Sequence, residues 1–251
     1  MLLEGKNAVI YGGGGAIGGA VAETFAREGA QVFLAGRIAD NLRAVAERIR
    51  AAGGTAHTAQ LDALDEEAVD QHADHVAASA GSIDVSFNLI SHAVVQGTPM
   101  AEMRVEDYLT PVQTAVRATF LTWRAAARHM IRQRSGVILA FGGEGHPPRG
   151  YHLGALQTVF HAIEAMRRQF AAELGPHGVR VVTIRTGGIP ESLPKDIPGR
   201  ETIADSIAAA SLLGQAATLE DVGQVAAFVA SGHARAMTAA TINISAGALI
   251  D

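Results

Sequence analysis

At 251 residues, with 48% hydrophobic and 18% charged side chains, the chain is long enough to bury a large core as one domain. A net charge of −5, with the ten histidines neutral, argues against a surface that tracks nucleic-acid phosphates. There is no cysteine, so disulfides, zinc–thiolate sites and thiol catalysis are excluded, and no apolar run approaches the roughly 18 residues a membrane span requires.

The opening MLLEGKNAVIYG lacks the basic head and long apolar stretch of an export signal, so a cytoplasmic chain is expected. Residues 7–11 (NAVIY) predict a buried strand, and residues 16–28 a helix with Ile17, Val21 and Phe25 on one face. Gly29 ends that helix and residues 31–35 form the next strand. Residues 39–52 are helical up to Gly53-Gly54, 55–61 are a third strand, 65–80 a helix and 83–89 a fourth strand. A long helix is expected from about 103 to 134, interrupted near Pro111. Strand 136–141, helix 154–174 and strand 179–184 follow. The proline- and glycine-rich stretch 187–200 reads as a loop, 201–211 and 219–231 as helices, and 240–244 as the last strand. This alternation calls for one α/β domain, a doubly wound parallel sheet of about seven strands with helices on both faces.

The turn after the first strand is Gly12-Gly13-Gly14-Gly15-Ala16-Ile17-Gly18. Holding a pyrophosphate requires this order of strand, glycines and helix start. The glycines let the backbone approach closely, and the helix N-terminus offers unpaired N–H groups and partial positive charge. The run also parses as G-x-G-x-x-G at Gly13, Gly15 and Gly18; its bland reading, a flexible turn, is weakened by its place between strand and helix. A Rossmann-type dinucleotide site is therefore expected. At the end of the second strand, where an acidic residue would bind the ribose of NAD, the chain reads Ala35-Gly36-Arg37. No carboxylate repels a 2′-phosphate there and Arg37 can pair with one, so NADP(H) is preferred over NAD(H), against the reading of a solvated arginine. Asp62, just after the third strand, is placed either to accept from the adenine amino group or to cap the following helix.

These residues resemble the short-chain dehydrogenase/reductase family, with likeness over essentially the whole chain. Its T-G-x-x-x-G-x-G turn is similar to residues 11–18, with Tyr11 for Thr and Ala16 for the middle Gly. Asn88-Leu89-Ile90-Ser91 keeps the first Asn of its N-N-A-G, and residues 170–184 resemble its A-x-E-L-x-P-x-G-I-R-V-N. Thr186-Gly187 stands for the P-G that borders the nicotinamide. Thr218-Leu219-Glu220-Asp221-Val222 resembles P-E-D-[IV], and Ser245-Ala246-Gly247 stands where D-G-G is common. Together these readings place the cofactor at Gly12, Gly14, Gly15, Ala16, Ile17, Gly18, Arg37, Asp62, Ala63, Asn88, Thr186, Gly187 and Ile189. The resemblance further implies a homo-oligomer, tetramer or dimer, because the family's long helix packs at a dimer interface.

The family usually reduces carbonyls with an Asn-Ser-Tyr-Lys set. Tyr151 lacks the Lys that should follow it, Ala155 standing there. Aligning residues 160–166 with the family's K-a-A-v-e-a-m helix puts Leu156 at the Tyr position and Phe160 at the Lys position. The same register puts Gly143 at the Ser position, and aligning the long helix at Phe120 puts Ala115 at the Asn position. The chain's two lysines, Lys6 and Lys195, lie elsewhere. A positioned general acid is worth about 10²–10⁴-fold in rate, roughly 3–5 kcal/mol. The expectation is therefore an oxidoreductase with atypical acid–base chemistry on a small molecule whose product takes its proton from water, such as an activated C=C or an imine. His92, Tyr151 and His146 are candidate replacements, each with a bland reading as polar loop surface. The alternative is a non-catalytic NADP(H)-binding protein, a sensor or partner subunit; a dehalogenase-like use of the cleft is disfavoured by the retained glycine turn. Arg124, Arg128 and Arg132 form a stripe expected to face solvent or a neighbouring subunit, and Trp123 beside Ala125-Ala126-Ala127 offers an anchor.

Overall fold

The computed structural model describes residues 1–143, 152–194 and 196–250. Its strands are β1 (Asn7–Tyr11), β2 (Gln31–Gly36), β3 (Thr55–Gln60), β4 (Val85–Asn88), β5 (Gly136–Gly142), β6 (Val179–Arg185) and β7 (Ala240–Asn243). The helices are α1 (Ala16–Arg27), α2 (Ala39–Ala51), α3 (Glu66–Ala80), α4 (Val105–Gln133), α5 (Leu156–Leu174), α6 (Arg200–Ala209) and α7 (Leu219–Ala230). The strands form one sheet in the order β3-β2-β1-β4-β5-β6-β7, and every pairing is parallel. This is the Rossmann-type arrangement expected from the alternation of elements.

Side-chain alternation along the strands builds two cores. In β1, Ala8 and Ile10 point to the face covered by α1, α2 and α7, where Val21, Phe25, Leu42 and Val222 pack. Val9 and Tyr11 point to the face covered by α3, α4 and α5, where Val69, Ala118, Trp123 and Ile163 pack. Because both faces are covered, the inner strands read as continuous apolar runs rather than alternating ones.

Several expectations change in detail. Helix α4 runs unbroken through Pro111, which is buried near its start and forfeits a single backbone bond there. Strand β4 begins two residues late, since the Ile83 N–H and C=O are both taken by the Gln133 side-chain amide at 2.9 Å. The loop after β6 contains a 3₁₀ turn, Pro190–Ser192. Two of the three arginines of the stripe pair with α3, while Arg132 lies 2.8 Å from His129 Nδ1 on its own helix. Arg124 pairs with Glu66 at 2.7 Å and Asp70 at 2.8 Å, and Arg128 with Asp70 at 3.1 Å, so these two meet the acidic face of α3. Trp123 is no surface anchor: it is fully buried and packs edge-on against Phe170 at 5.4 Å. Among the described residues no helix is long and apolar enough to cross a membrane, and no cluster of His, Asp or Glu is built to hold a metal.

Candidate functional site

At the C-terminal end of β1 the chain turns on Gly12, whose φ of +79° is costly for any side chain. The turn is tied down by the Gly12 N–H, which donates to the Ala35 carbonyl at 2.8 Å. A Cβ on Gly12 would lie 2.5 Å from the Leu89 carbonyl oxygen, and one on Gly18 only 2.2 Å from the Gly12 carbonyl oxygen. Helix α1 therefore rests directly on the strand end. Its N-cap is Gly15, and no side chain caps it, so the N–H groups of its first turn remain for another acceptor.

Two cavities flank this turn, at the point where the strand order reverses between β1 and β4. The first, about 260 Å³, lies between Gly12, Gly14 and Gly15 on one side and Arg37, Asp62 and Ala63 on the other. Arg37 is exposed at its rim. The acid at the start of α2, Asp40, is engaged by Arg43 instead. Asp62 does not cap α3; that is done by Asp65, which accepts from the Ala68 N–H at 3.1 Å. The Asp62 Oδ1 accepts from the Leu64 N–H at 3.0 Å, which holds the side chain in the cavity wall.

The second cavity, about 540 Å³, begins at Gly15, Ala16, Ile17 and Gly18 and extends to α5. Leu156 and Phe160 stand in its wall, and a Cβ on Gly143 would be 3.0 Å from Cε2 of the Phe160 ring. The structure thus brings Gly143, Leu156 and Phe160 together. Ala115 is fully buried in the core and lines neither cavity. Asn88 is in the wall, but its amide donates to the Thr122 hydroxyl at 3.1 Å and its Oδ1 accepts from the Ile90 N–H at 3.0 Å. Its polar atoms brace α4 and the loop after β4.

His92 also lines this cavity. Its Nδ1 is buried without a partner, and burial pushes the imidazole down to about 4, so it is neutral at pH 7. Tyr151 and His146 lie outside the described residues. Thr186, Gly187 and Ile189 line neither cavity: the Thr186 N–H donates to the Gly142 carbonyl at 3.1 Å, Gly187 packs against Ala248, and Ile189 is 4% exposed in the core. The loop reaches the second cavity slightly later, through Ser192, Leu193 and Pro194. Sequence reasoning missed these three, and missed Asn41 in the first cavity and Thr119 and Trp123 in the second. A signal existed for the last two, since Ala115, Thr119 and Trp123 recur every four residues on one face of α4.

A family profile described as enoyl-(acyl carrier protein) reductase matches residues 14–248. Momilactone A synthase of Oryza sativa subsp. japonica is 33% identical, covering 98% of this chain and 90% of its own length. L-rhamnose 1-dehydrogenase (NAD(P)(+)) of Azotobacter vinelandii is 30% identical, covering 100% of this chain and 99% of its own. Among solved structures, a short-chain type dehydrogenase/reductase from Mycobacterium marinum superposes with a TM-score of 0.88 at 28% identity, covering 99% of this chain and 97% of that one.

Proposed function

The chain belongs to the short-chain dehydrogenase/reductase family of nicotinamide-dependent oxidoreductases, and from that premise we propose that it is a one-domain NADP(H)-dependent oxidoreductase with atypical acid–base chemistry. The observation that carries the cofactor reading is the uncapped α1 N-terminus between two cavities, with Gly15 lining both. Residues Gly12, Gly14, Gly15, Ala16, Ile17 and Gly18 would hold the pyrophosphate, Arg37 the 2′-phosphate, and Asp62 and Ala63 the adenine. The second cavity would take the nicotinamide. When bound, the dinucleotide supplies the hydride.

The remaining work falls to the chain's own residues. Ala115, Gly143, Leu156 and Phe160 occupy the positions of the Asn-Ser-Tyr-Lys set, and none carries a hydroxyl, amide or ammonium. Leu156, Phe160 and Ile163 give the α5 side of the second cavity an apolar surface. The neutral His92 can orient an oxygen by a hydrogen bond but holds no spare proton near pH 7. Substrates whose reduced products take their proton from water, activated alkenes or imines, suit this wall best.

The cofactor test is a titration of NADPH and NADH against the wild type and Arg37→Ala. Loss of a charge-assisted contact should weaken NADPH by about tenfold or more and leave NADH nearly unchanged; equal losses would refute the NADP assignment. If NADPH binds but a broad carbonyl, enone and imine panel never oxidises it, the oxidoreductase reading is abandoned. A second reading, a non-catalytic NADP(H) sensor or partner subunit, is favoured by the Phe160 ring standing against Gly143. Turnover that disappears in His92→Ala or Tyr151→Phe would sink it. A cytoplasmic homo-oligomer, dimer or tetramer, completes the proposal. It is supported by Phe120 of α4, 44% exposed beside Phe170 of α5, and sedimentation as a monomer at micromolar concentration would count against it.

A further inference from the structure

Arg117 of α4 does not line the first cavity, but its Nε donates to the Leu64 carbonyl at 2.9 Å. Leu64 stands in the cavity wall with Asp62 and Ala63 of the same turn and with Thr114 and Ala118 of α4. At its start the turn is tied to β2, where the Leu61 N–H donates to the Gly36 carbonyl at 3.0 Å. Beyond that it closes on itself. The Asp65 N–H donates to the Asp62 carbonyl at 3.0 Å, and the Leu64 N–H donates to the Asp62 Oδ1 at 3.0 Å. Among the described residues, only Arg117 ties residues 62–64 to another element by a hydrogen bond. Asp62 is exposed in the wall, and its second carboxylate oxygen accepts no hydrogen bond from the described residues.

A turn closed by its own Asp side chain aims that carboxylate only as firmly as the backbone around it is held. Pinned at Leu61 alone, the turn could swing about that point; the Arg117 contact pins its far end. Groups held in place before a ligand arrives bind it more tightly and more selectively, because the cost of ordering them is already met. An ionised carboxylate only accepts hydrogen bonds, so a fixed Asp62 favours a base edge that carries an amino group over one that carries a carbonyl. On the premise of the dinucleotide reading above, we propose that Arg117 is a positioning residue for the base. It holds the Asp62–Leu64 turn so that the Asp62 carboxylate reads the adenine amino group, and it makes no contact with the dinucleotide itself.

The test measures direct binding, by calorimetry, of NADPH, NADH and deamino-NADPH, in which a carbonyl replaces the adenine amino group and N1 carries a hydrogen. The wild type is expected to bind NADPH about tenfold or more tighter than the deamino analogue. In Arg117→Ala that preference should fall by about threefold or more, because a loosened turn lets the carboxylate shift to the N1–H of the analogue. The ratio of NADPH to NADH affinity should stay as in the wild type. A general loss of stability would lower all three affinities together and leave both ratios alone. In an Asp62→Ala background, Arg117→Ala should have no further effect on the base preference. Arg117 is exposed, and Arg117→Met, which keeps the stem without the donor, serves if the alanine variant does not fold. The proposal is overturned by a wild type without a base preference, by an unchanged preference in the Arg117 variant, by a further effect in the Asp62→Ala background, or by an NADPH to NADH ratio that falls. A wild type that binds neither dinucleotide sinks the dinucleotide reading and this proposal with it. NADPH binding with the base preference unmoved in the variant sinks this proposal alone.

Discussion

A methyl group added at Gly18 would sit 2.2 Å from the Gly12 carbonyl oxygen, whereas one added at Gly15 would meet nothing closer than that same oxygen at 3.4 Å. Gly15 also has an ordinary φ of −82°, so its backbone tolerates a side chain. The first clash is with backbone and cannot be relieved by a rotamer change. Gly18→Ala should therefore lower the unfolding free energy by about 1–3 kcal/mol. Gly15→Ala should stay within about 0.5 kcal/mol of wild type in urea unfolding, yet weaken NADPH, because Gly15 lines both cavities. Matching stability losses in the two variants would show that Gly15 serves the fold alone. Residue types and spacing were enough to pick out this turn and Arg37, since a strand, a glycine run and a helix start are local features. Ser192, by contrast, reaches the second cavity only because the loop after β6 converges on it, and that convergence leaves no mark in the segment. Asp62 was legible as one of two roles, and the tertiary structure was needed to show that Asp65 holds the cap.

At the scale of elements, the contact between α3 and α4 is a ladder of alternating charge. Arg124, with its side chain 29% exposed, bridges Glu66 and Asp70, and Asp70, 22% exposed, also takes Arg128. The arginine adjacent to the carboxylate holds Glu66 below the usual range through a side-chain hydrogen bond and its charge. Exposed pairs contribute little, but a shared and partly buried carboxylate contributes more. Asp70→Asn should cost about 1 kcal/mol in thermal or urea unfolding, with the difference shrinking at high salt; a salt-independent loss would point to packing instead. The four-residue spacing of the arginines was visible in the sequence. Their partners were not, because the register of one helix against another is decided by the buried alanines of α4 and the valines of α3. Pro111 shows the same limit. Local propensity predicts a break, and burial of the helix against the sheet overrides it.

Across the molecule, histidines couple stability to acid, His72 and His92 most strongly among the described residues and His57 in the same direction. Burial holds His72 in α3 and His92 in the second cavity down to about 4, from an ordinary value of 6.5, and the charge of His75 adds to the effect at His72. Above pH 6.5 both are neutral whether the chain is folded or not. Between pH 6.5 and 4 the unfolded chain takes up protons that the folded one refuses, so stability falls as pH falls. The limiting slope is about 1.4 kcal/mol per pH unit for each group. Urea midpoints at pH 7.5 and 5 should diverge, and His72→Gln should narrow the divergence; an unchanged gap would remove His72 from the cause. The strand order was legible as a class, because apolar runs covered on both faces belong to parallel sheets. That same order governs how the protein is made. Strand β1 lies between β2 and β4, the Leu89 N–H donates to the Tyr11 carbonyl at 2.8 Å, and the Leu89 carbonyl roofs Gly12. A nascent chain halted before β4 has the glycines but not their roof, and one edge of its central strand is bare. The cofactor can then favour only the finished sheet by mass action. It gives no help to the half-made chain, whose protection during synthesis must come from elsewhere.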